Sequence, residues 1–141
     1  MELSHAQRIL VEDSFDLLIG REEEIGTVFY TRLFEIAPEL KPLFTGDHKM
    51  QATKFLQMLS IAVHHLDAPK MLIPGVQALA RRHVGYGTKP EHYQIVGEAL
   101  LWTLKQTLSA AFTPAVESAW QTTYHMISTV MIEATYSNEP L

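Results

Sequence analysis

Apolar residues recur at helical spacing along most of the chain, and the alternation that marks strands is weak. Ser4-His5-Ala6-Gln7 reads as a capping box opening a first helix. Its apolar positions Ile9, Leu10, Phe15, Leu17 and Leu18 run to about Gly20, a residue suited to ending a helix. Arg21-Glu22-Glu23-Glu24 suits the next helix start, where carboxylates oppose the positive end of the dipole. Ile25, Val28, Phe29, Leu33 and Phe34 then form an inner face. Pro38 opens a short segment that closes at Pro42-Leu43-Phe44, and Thr45-Gly46-Asp47 makes a turn. A long helix is expected from about His48 to Leu66, with Gln51, Phe55, Leu59 and Val63 sharing one face and Met58, Ala62 and Leu66 widening it.

Asp67-Ala68-Pro69 breaks that helix, and Leu72 to His83 is helical in part, with Pro74 near its start. Thr88-Lys89-Pro90-Glu91 is a second capping box with a proline in the first turn. The helix it opens runs to about Leu108 on a face of Tyr93, Val96, Leu100 and Leu104. Thr113-Pro114 caps a last helix carrying Val116, Trp120, Tyr124, Ile127 and Met131, and Tyr136 to Leu141 reads as frayed. The pattern predicts an all-α fold of about six or seven helices. Similar helices joined by short loops would suit a four-helix bundle. Short proline-bounded segments alternating with long ones suit helices crossing at steep angles around a pocket.

Length and composition narrow the chemistry. The 141 residues make one domain, 1–141, and 47% hydrophobic with 19% charged residues is an ordinary globular balance. There is no cysteine, which excludes disulfides, zinc–thiolate sites, iron–sulfur clusters and cysteine nucleophiles. A metal would have to be held by His, carboxylate, Tyr or Met. The net charge of −5 argues against nucleic-acid binding. The longest apolar run is far too short to cross a membrane, and Met1-Glu2-Leu3-Ser4 does not start like a signal peptide. The expectation is a soluble cytoplasmic protein.

His83 stands at the end of an apparent helix, before Gly85, Gly87 and the capping box. It is either a surface histidine whose charge suits the negative dipole end or a metal ligand. Tyr30, on an apolar helix face, is either a core tyrosine or a pocket donor; Gln51 is either a solvated helix-start residue or a second donor. His64 and His65 are adjacent and therefore face different ways, one partly buried and one exposed, without forming a site. His48 is expected to be exposed, and Glu22 to Glu24 a solvated helix start.

Several stretches, taken in order, resemble globins. Phe29-Tyr30-Thr31-Arg32-Leu33-Phe34 with Pro42-Leu43-Phe44 is similar to the second helix and following corner of bacterial globins. Arg82-His83 with Lys89-Pro90-Glu91-His92-Tyr93-Gln94-Ile95-Val96-Gly97 resembles the proximal region of flavohaemoglobin-type globin domains, and Ala119-Trp120 with Tyr124 fits their last helix. The likeness covers nearly the whole chain and points to neuroglobin-like, single-domain bacterial globins of the Hell's Gate kind.

The resemblance implies haem b, non-covalently held because there is no Cys-x-x-Cys-His. His83 would be the axial iron ligand, its second ring nitrogen donating to a carbonyl of the preceding turn. Phe44 would wedge against the porphyrin, Lys54 would reach a propionate, and Phe55 would be the apolar distal contact. Leu79, Tyr93 and Val96 would lie on the proximal side, and Tyr30 and Gln51 would form a distal donor pair for oxygen. Two departures stand out. Flavohaemoglobins continue into a flavin and nicotinamide reductase domain. They also hold the axial histidine in a network with a tyrosine, matched by Tyr93, and a glutamate whose place here falls on Thr135, with Glu133 two residues away.

The leading expectation is a carrier or store of diatomic gases (O2, CO, NO), not an enzyme. The alternatives are a nitric oxide dioxygenase served by a separate reductase, a gas sensor or haem-free module, and a plain helical bundle.

Overall fold

The computed structural model describes residues 3–43, 48–66 and 90–132. Helix α1, His5–Asp16, begins at the expected capping box: Ser4 Oγ accepts from the Gln7 amide at 3.1 Å and Gln7 Oε1 from the Ser4 amide at 3.0 Å. It ends earlier than the pattern suggested. Residues 17–20 form a turn, and Gly20 there takes a left-handed φ of +87° that favours glycine. The buried stripe is Val11, Ser14, Phe15 and Leu18. Ile9 lies two residues from it, on the far side of the helix, and Leu17 falls in the turn; both are exposed, against expectation.

Helix α2, Glu22–Ile36, carries three glutamates in its first turn. Glu22 accepts from the Gly20 amide at 3.0 Å, and Glu24 pairs with Arg21 at 2.9 Å. Ile25, Gly26, Phe29, Tyr30 and Leu33 are buried, whereas Val28 and Phe34 are only half-buried. A 3-10 segment, Pro38–Leu43, follows, with proline at its first position. Helix α3, His48–His64, buries Leu56, Leu59, Ala62 and Val63 and leaves Gln51, Phe55 and Met58 half-buried.

Helix α4, Pro90–Leu108, buries Tyr93, Ala99, Leu100, Thr103, Leu104 and Thr107. After the 3-10 turn Ser109–Ala111 comes α5, Pro114–Ile132, whose first turn is capped by Thr113 Oγ1 accepting from the Val116 amide at 3.2 Å. Among the described residues these are five α-helices and no strand. The expected break at residues 67–69, the segment 72–83, Thr88, Lys89 and the tail 136–141 lie outside them.

Packing centres on α2, which lies against α3, α4 and the 3-10 segment, while α1 packs on α5 and α3. Val11, Leu33, Val63, Leu100, Leu104 and Trp120 are fully buried between them. The Trp120 indole N–H donates to Ser14 Oγ at 2.8 Å, and the Ser14 hydroxyl lies 2.7 Å from the Leu10 carbonyl. The indole therefore loses no hydrogen bond on burial.

Candidate functional site

Alternation of buried and half-buried positions on α2 and α3 builds an aromatic wall where the two helices meet. Phe29 is the joint: its ring lies 5.1 Å from Tyr30, edge to face, and 5.2 Å from Phe55 on α3. Tyr30 stacks in turn on Phe34 at 6.0 Å, one turn further along α2. Spacings of this kind are favourable for ring pairs. Lys41 Nζ stands 5.8 Å above the Phe34 ring at the outer end of the row.

Tyr30 is 7% exposed, and burial pushes its hydroxyl pKa up to about 12. The phenol therefore stays neutral and keeps its proton to donate under any ordinary condition. Gln51 lies one helical turn before Phe55, so both look out of the same face of α3. Its Oε1 is buried and meets no hydrogen-bond partner. A buried polar atom without a partner is uncommon and marks either a ligand position or stored strain. Phe55, Met58 and Phe34 are only partly covered by their own chain.

The second group sits on α4. Tyr93 is buried and Val96 half-buried. The Tyr124 hydroxyl, on α5, donates to the Tyr93 carbonyl at 2.6 Å. Gly97 makes this possible: a Cβ there would come within 2.6 Å of the Tyr124 ring. Burial, and next the neighbouring Tyr93, push the Tyr124 pKa far above its ordinary value.

Of the positions singled out from sequence, Tyr30 and Phe55 are joined through Phe29, and Gln51 faces the same way as Phe55. Lys54 is exposed on α3, where a base could meet an acidic group at the rim. Phe44, Leu79 and His83 lie outside the described residues, as do Glu133 and Thr135. His64 and His65 differ from expectation: both are exposed. Their Nδ1 atoms lie 2.7 Å from the Ser60 carbonyl and 2.8 Å from the Ile61 carbonyl, so each ring is satisfied by the preceding turn of its own helix. Among the described residues, no cluster of three or more His, Asp or Glu side chains could hold a metal.

Sequence reasoning missed Phe29 and Phe34 as pocket residues, though an aromatic next to Tyr30 and another four residues on are the signal. It also missed Gly97, whose place inside a helix pointed to close approach by another group.

The globin family profile matches residues 27–131, a span that takes in most of α2, all of α3 and α4 and nearly all of α5. This chain belongs to the globin family. As a globin it is a haem-binding, gas-binding protein, and both the aromatic wall and Gln51 lie within the matched span. It is similar to the flavohemoprotein of Vibrio cholerae, 32% identical over 127 residues, covering 88% of this chain and 32% of that protein. It is likewise similar to the flavohemoprotein of Bordetella parapertussis, 35% identical over 134 residues, covering 92% of the globin and 33% of that protein. The globin thus spans about a third of the length of these flavohemoproteins. Neuroglobin of Danio rerio is 31% identical over 144 aligned positions, covering 92% of this chain and 91% of its own.

The residues present fit a haem. A haem needs apolar side chains left partly bare by the protein itself, and Phe34, Phe55, Met58 and Val96 are each only partly covered. Gln51 Oε1 is a polar atom held ready in the interior without a protein partner.

Proposed function

We propose that this globin, one domain over residues 1–141, binds haem b through His83 and takes up diatomic gases reversibly beneath Tyr30 and Gln51. The observation that carries the reading is a buried phenol, kept neutral, in a half-bare aromatic wall, with Gln51 one turn from Phe55 on the same face of α3. Haem iron, when bound, supplies the coordination position for O2, CO or NO. The chain's own residues supply the rest. Phe29 and Phe55 keep water from competing for the donors. Tyr30 Oη and the Gln51 amide hydrogens face a polar diatomic, each hydrogen bond contributing roughly 0.5–1.5 kcal/mol net and more toward a charged acceptor.

On the opposite side, Tyr93 and Val96 line α4. Among the histidines whose burial is described, His5, His64, His65 and His125 are exposed and His92 is half-buried, which supports His83 as the ligand. Phe44 is assigned to wedge the porphyrin, Leu79 to pack beneath it, and Lys54, exposed on α3, to meet a propionate. We place the protein in the cytoplasm. No described helix is long and apolar enough to cross a membrane.

The decisive experiment combines a spectrum with two variants. The purified protein should show a b-type haem spectrum. His83→Gly should hold haem weakly and recover on adding imidazole; an unchanged spectrum would assign the ligand elsewhere. Tyr30→Phe should speed oxygen release by roughly tenfold or more, the equivalent of about 1.4 kcal/mol, and carbon monoxide release much less. Equal acceleration of both gases would mean altered access, and no change would put Tyr30 outside the pocket. The alternative, nitric oxide dioxygenase activity, needs an external reductase, and nitrate formation with one supplied separates it from simple carriage.

A further inference from the structure

We propose that this chain pairs with a second copy of itself through the outer face of α4, with Trp102 on the two-fold axis and Glu98 of each copy meeting Lys105 of the other copy. The inference is independent of the gas-binding reading and gives a role to a surface that reading leaves unused.

Trp102 is 39% exposed, and among the described residues it is the only Phe, Tyr or Trp ring left in that state. Tryptophan and arginine are the side chains that most often anchor protein interfaces. Here they stand together: the Arg32 guanidinium carbon, from α2, lies 4.2 Å above the Trp102 ring. The stacking holds the ring in place before any partner arrives, which lowers the ordering cost of association. Arg32 also has unused capacity. Its Nε is buried with no hydrogen-bond partner, and its Nη1 reaches Glu35 only at 4.0 Å, too far for a hydrogen bond. The Glu35 side chain is itself 61% exposed. Guanidinium donors and a carboxylate are thus both in reserve beside the exposed indole.

The order of charges along α4 identifies the occupant. Glu98 stands four residues before Trp102 and Lys105 three residues after it, so all three share one face of the helix. Glu98 and Lys105 are exposed, and neither is ion-paired among the described residues. A two-fold axis between antiparallel copies of α4, passing beside Trp102, exchanges position 98 with position 105. Each glutamate then meets a lysine about 10 Å along the helix from the axis-related start, every contact is made twice, and the two indoles meet at the centre. A parallel pairing would set Glu98 against Glu98 and Lys105 against Lys105. A uniformly acidic or basic partner would match only one end of the face. The overall charge of −5 repels a second copy at long range, so self-association needs a face on which the signs alternate.

The test is sedimentation of the purified full chain over a wide concentration series. The parent's average mass should rise with concentration toward twice the 16.0 kDa of one chain. Trp102→Ala should weaken pairing by about tenfold or more. Glu98→Lys alone and Lys105→Glu alone should each weaken it by about tenfold, because the symmetry turns two attractions into two repulsions at once. An equal mixture of these two single variants should pair again, since every cross-contact in the mixed dimer joins opposite charges; the double variant should also recover. Recovery in the mixture shows that both single variants are folded, which removes misfolding as an explanation. A parent that stays monomeric throughout the series would overturn the proposal. So would single variants that pair as well as the parent, which would place the interface on another face, or single variants whose mixture stays monomeric. None of these results bears on whether the protein binds haem and gases, which its spectrum decides separately.

Discussion

Tyr30 shows how one side chain's environment decides its chemistry. A phenol in water loses its proton near pH 10, but burial lifts Tyr30 to about 12, and burial with the adjacent Tyr93 lifts Tyr124 further. In both cases the folded state holds a proton that the unfolded chain releases at lower pH. The folded pKa is raised, so full stability is present below the unfolded value near 10 and is lost as pH rises toward and through the folded values. The expected outcome is a melting temperature that falls steeply above about pH 10. An absorbance titration should show Tyr30 and Tyr124 ionising only well above pH 10. Tyr30→Phe should flatten part of the alkaline loss, and an unchanged profile in that variant would mean the hydroxyl is not buried as described.

The contact between α4 and α5 is made by a glycine and a tyrosine together. Alanine is the better helix former by about 1 kcal/mol, so Gly97→Ala would stabilise an isolated helix. In the folded protein the new Cβ would fall 2.6 Å from the Tyr124 ring, which cannot swing aside without losing its hydrogen bond to the Tyr93 carbonyl. Overpacking of this kind typically costs about 1–3 kcal/mol. Gly97→Ala should therefore lower stability in urea denaturation despite its propensity. Combined with Tyr124→Leu the loss should be less than additive, because the clash leaves with the ring. The capping box at Ser4 is the converse case, a local device that the sequence spells out completely: residue 4 and residue 7 satisfy each other's backbone amides with no help from elsewhere.

Over the whole molecule, first and last helices are tied by a contact between residues 106 positions apart, Trp120 Nε1 to Ser14 Oγ. Ser14→Ala removes one oxygen and leaves the indole N–H buried without a partner, which should cost about 1–3 kcal/mol. Equilibrium denaturation of the variant checks this; a change within a few tenths would mean that another acceptor takes its place. The same loss should leave oxygen release unchanged, since the bond joins α1 to α5 and the Tyr30–Phe29–Phe55 row lies on α2 and α3.

Local chemistry was legible in the sequence because its causes are local. Capping residues, prolines at helix starts and the spacing of apolar side chains placed α2, α3, α4 and α5, while the resemblance to globins marked Tyr30, Gln51 and Phe55 as candidates. Where α1 ends was not legible, since the turn at 17–20 follows from how Leu18 packs and not from any residue that forbids helix. Which apolar residues would stay half-covered was also invisible. Val28, Phe34 and Phe55 have the same character in sequence as the fully buried Leu33 and Val63, and only the packing of α2 on α3 and α4 separates them. The unsatisfied oxygen of Gln51 belongs to that second class. A glutamine written in a sequence is two-ended and adaptable, and it took the closing of the fold around it to bury one end, without a partner, beside the aromatic wall.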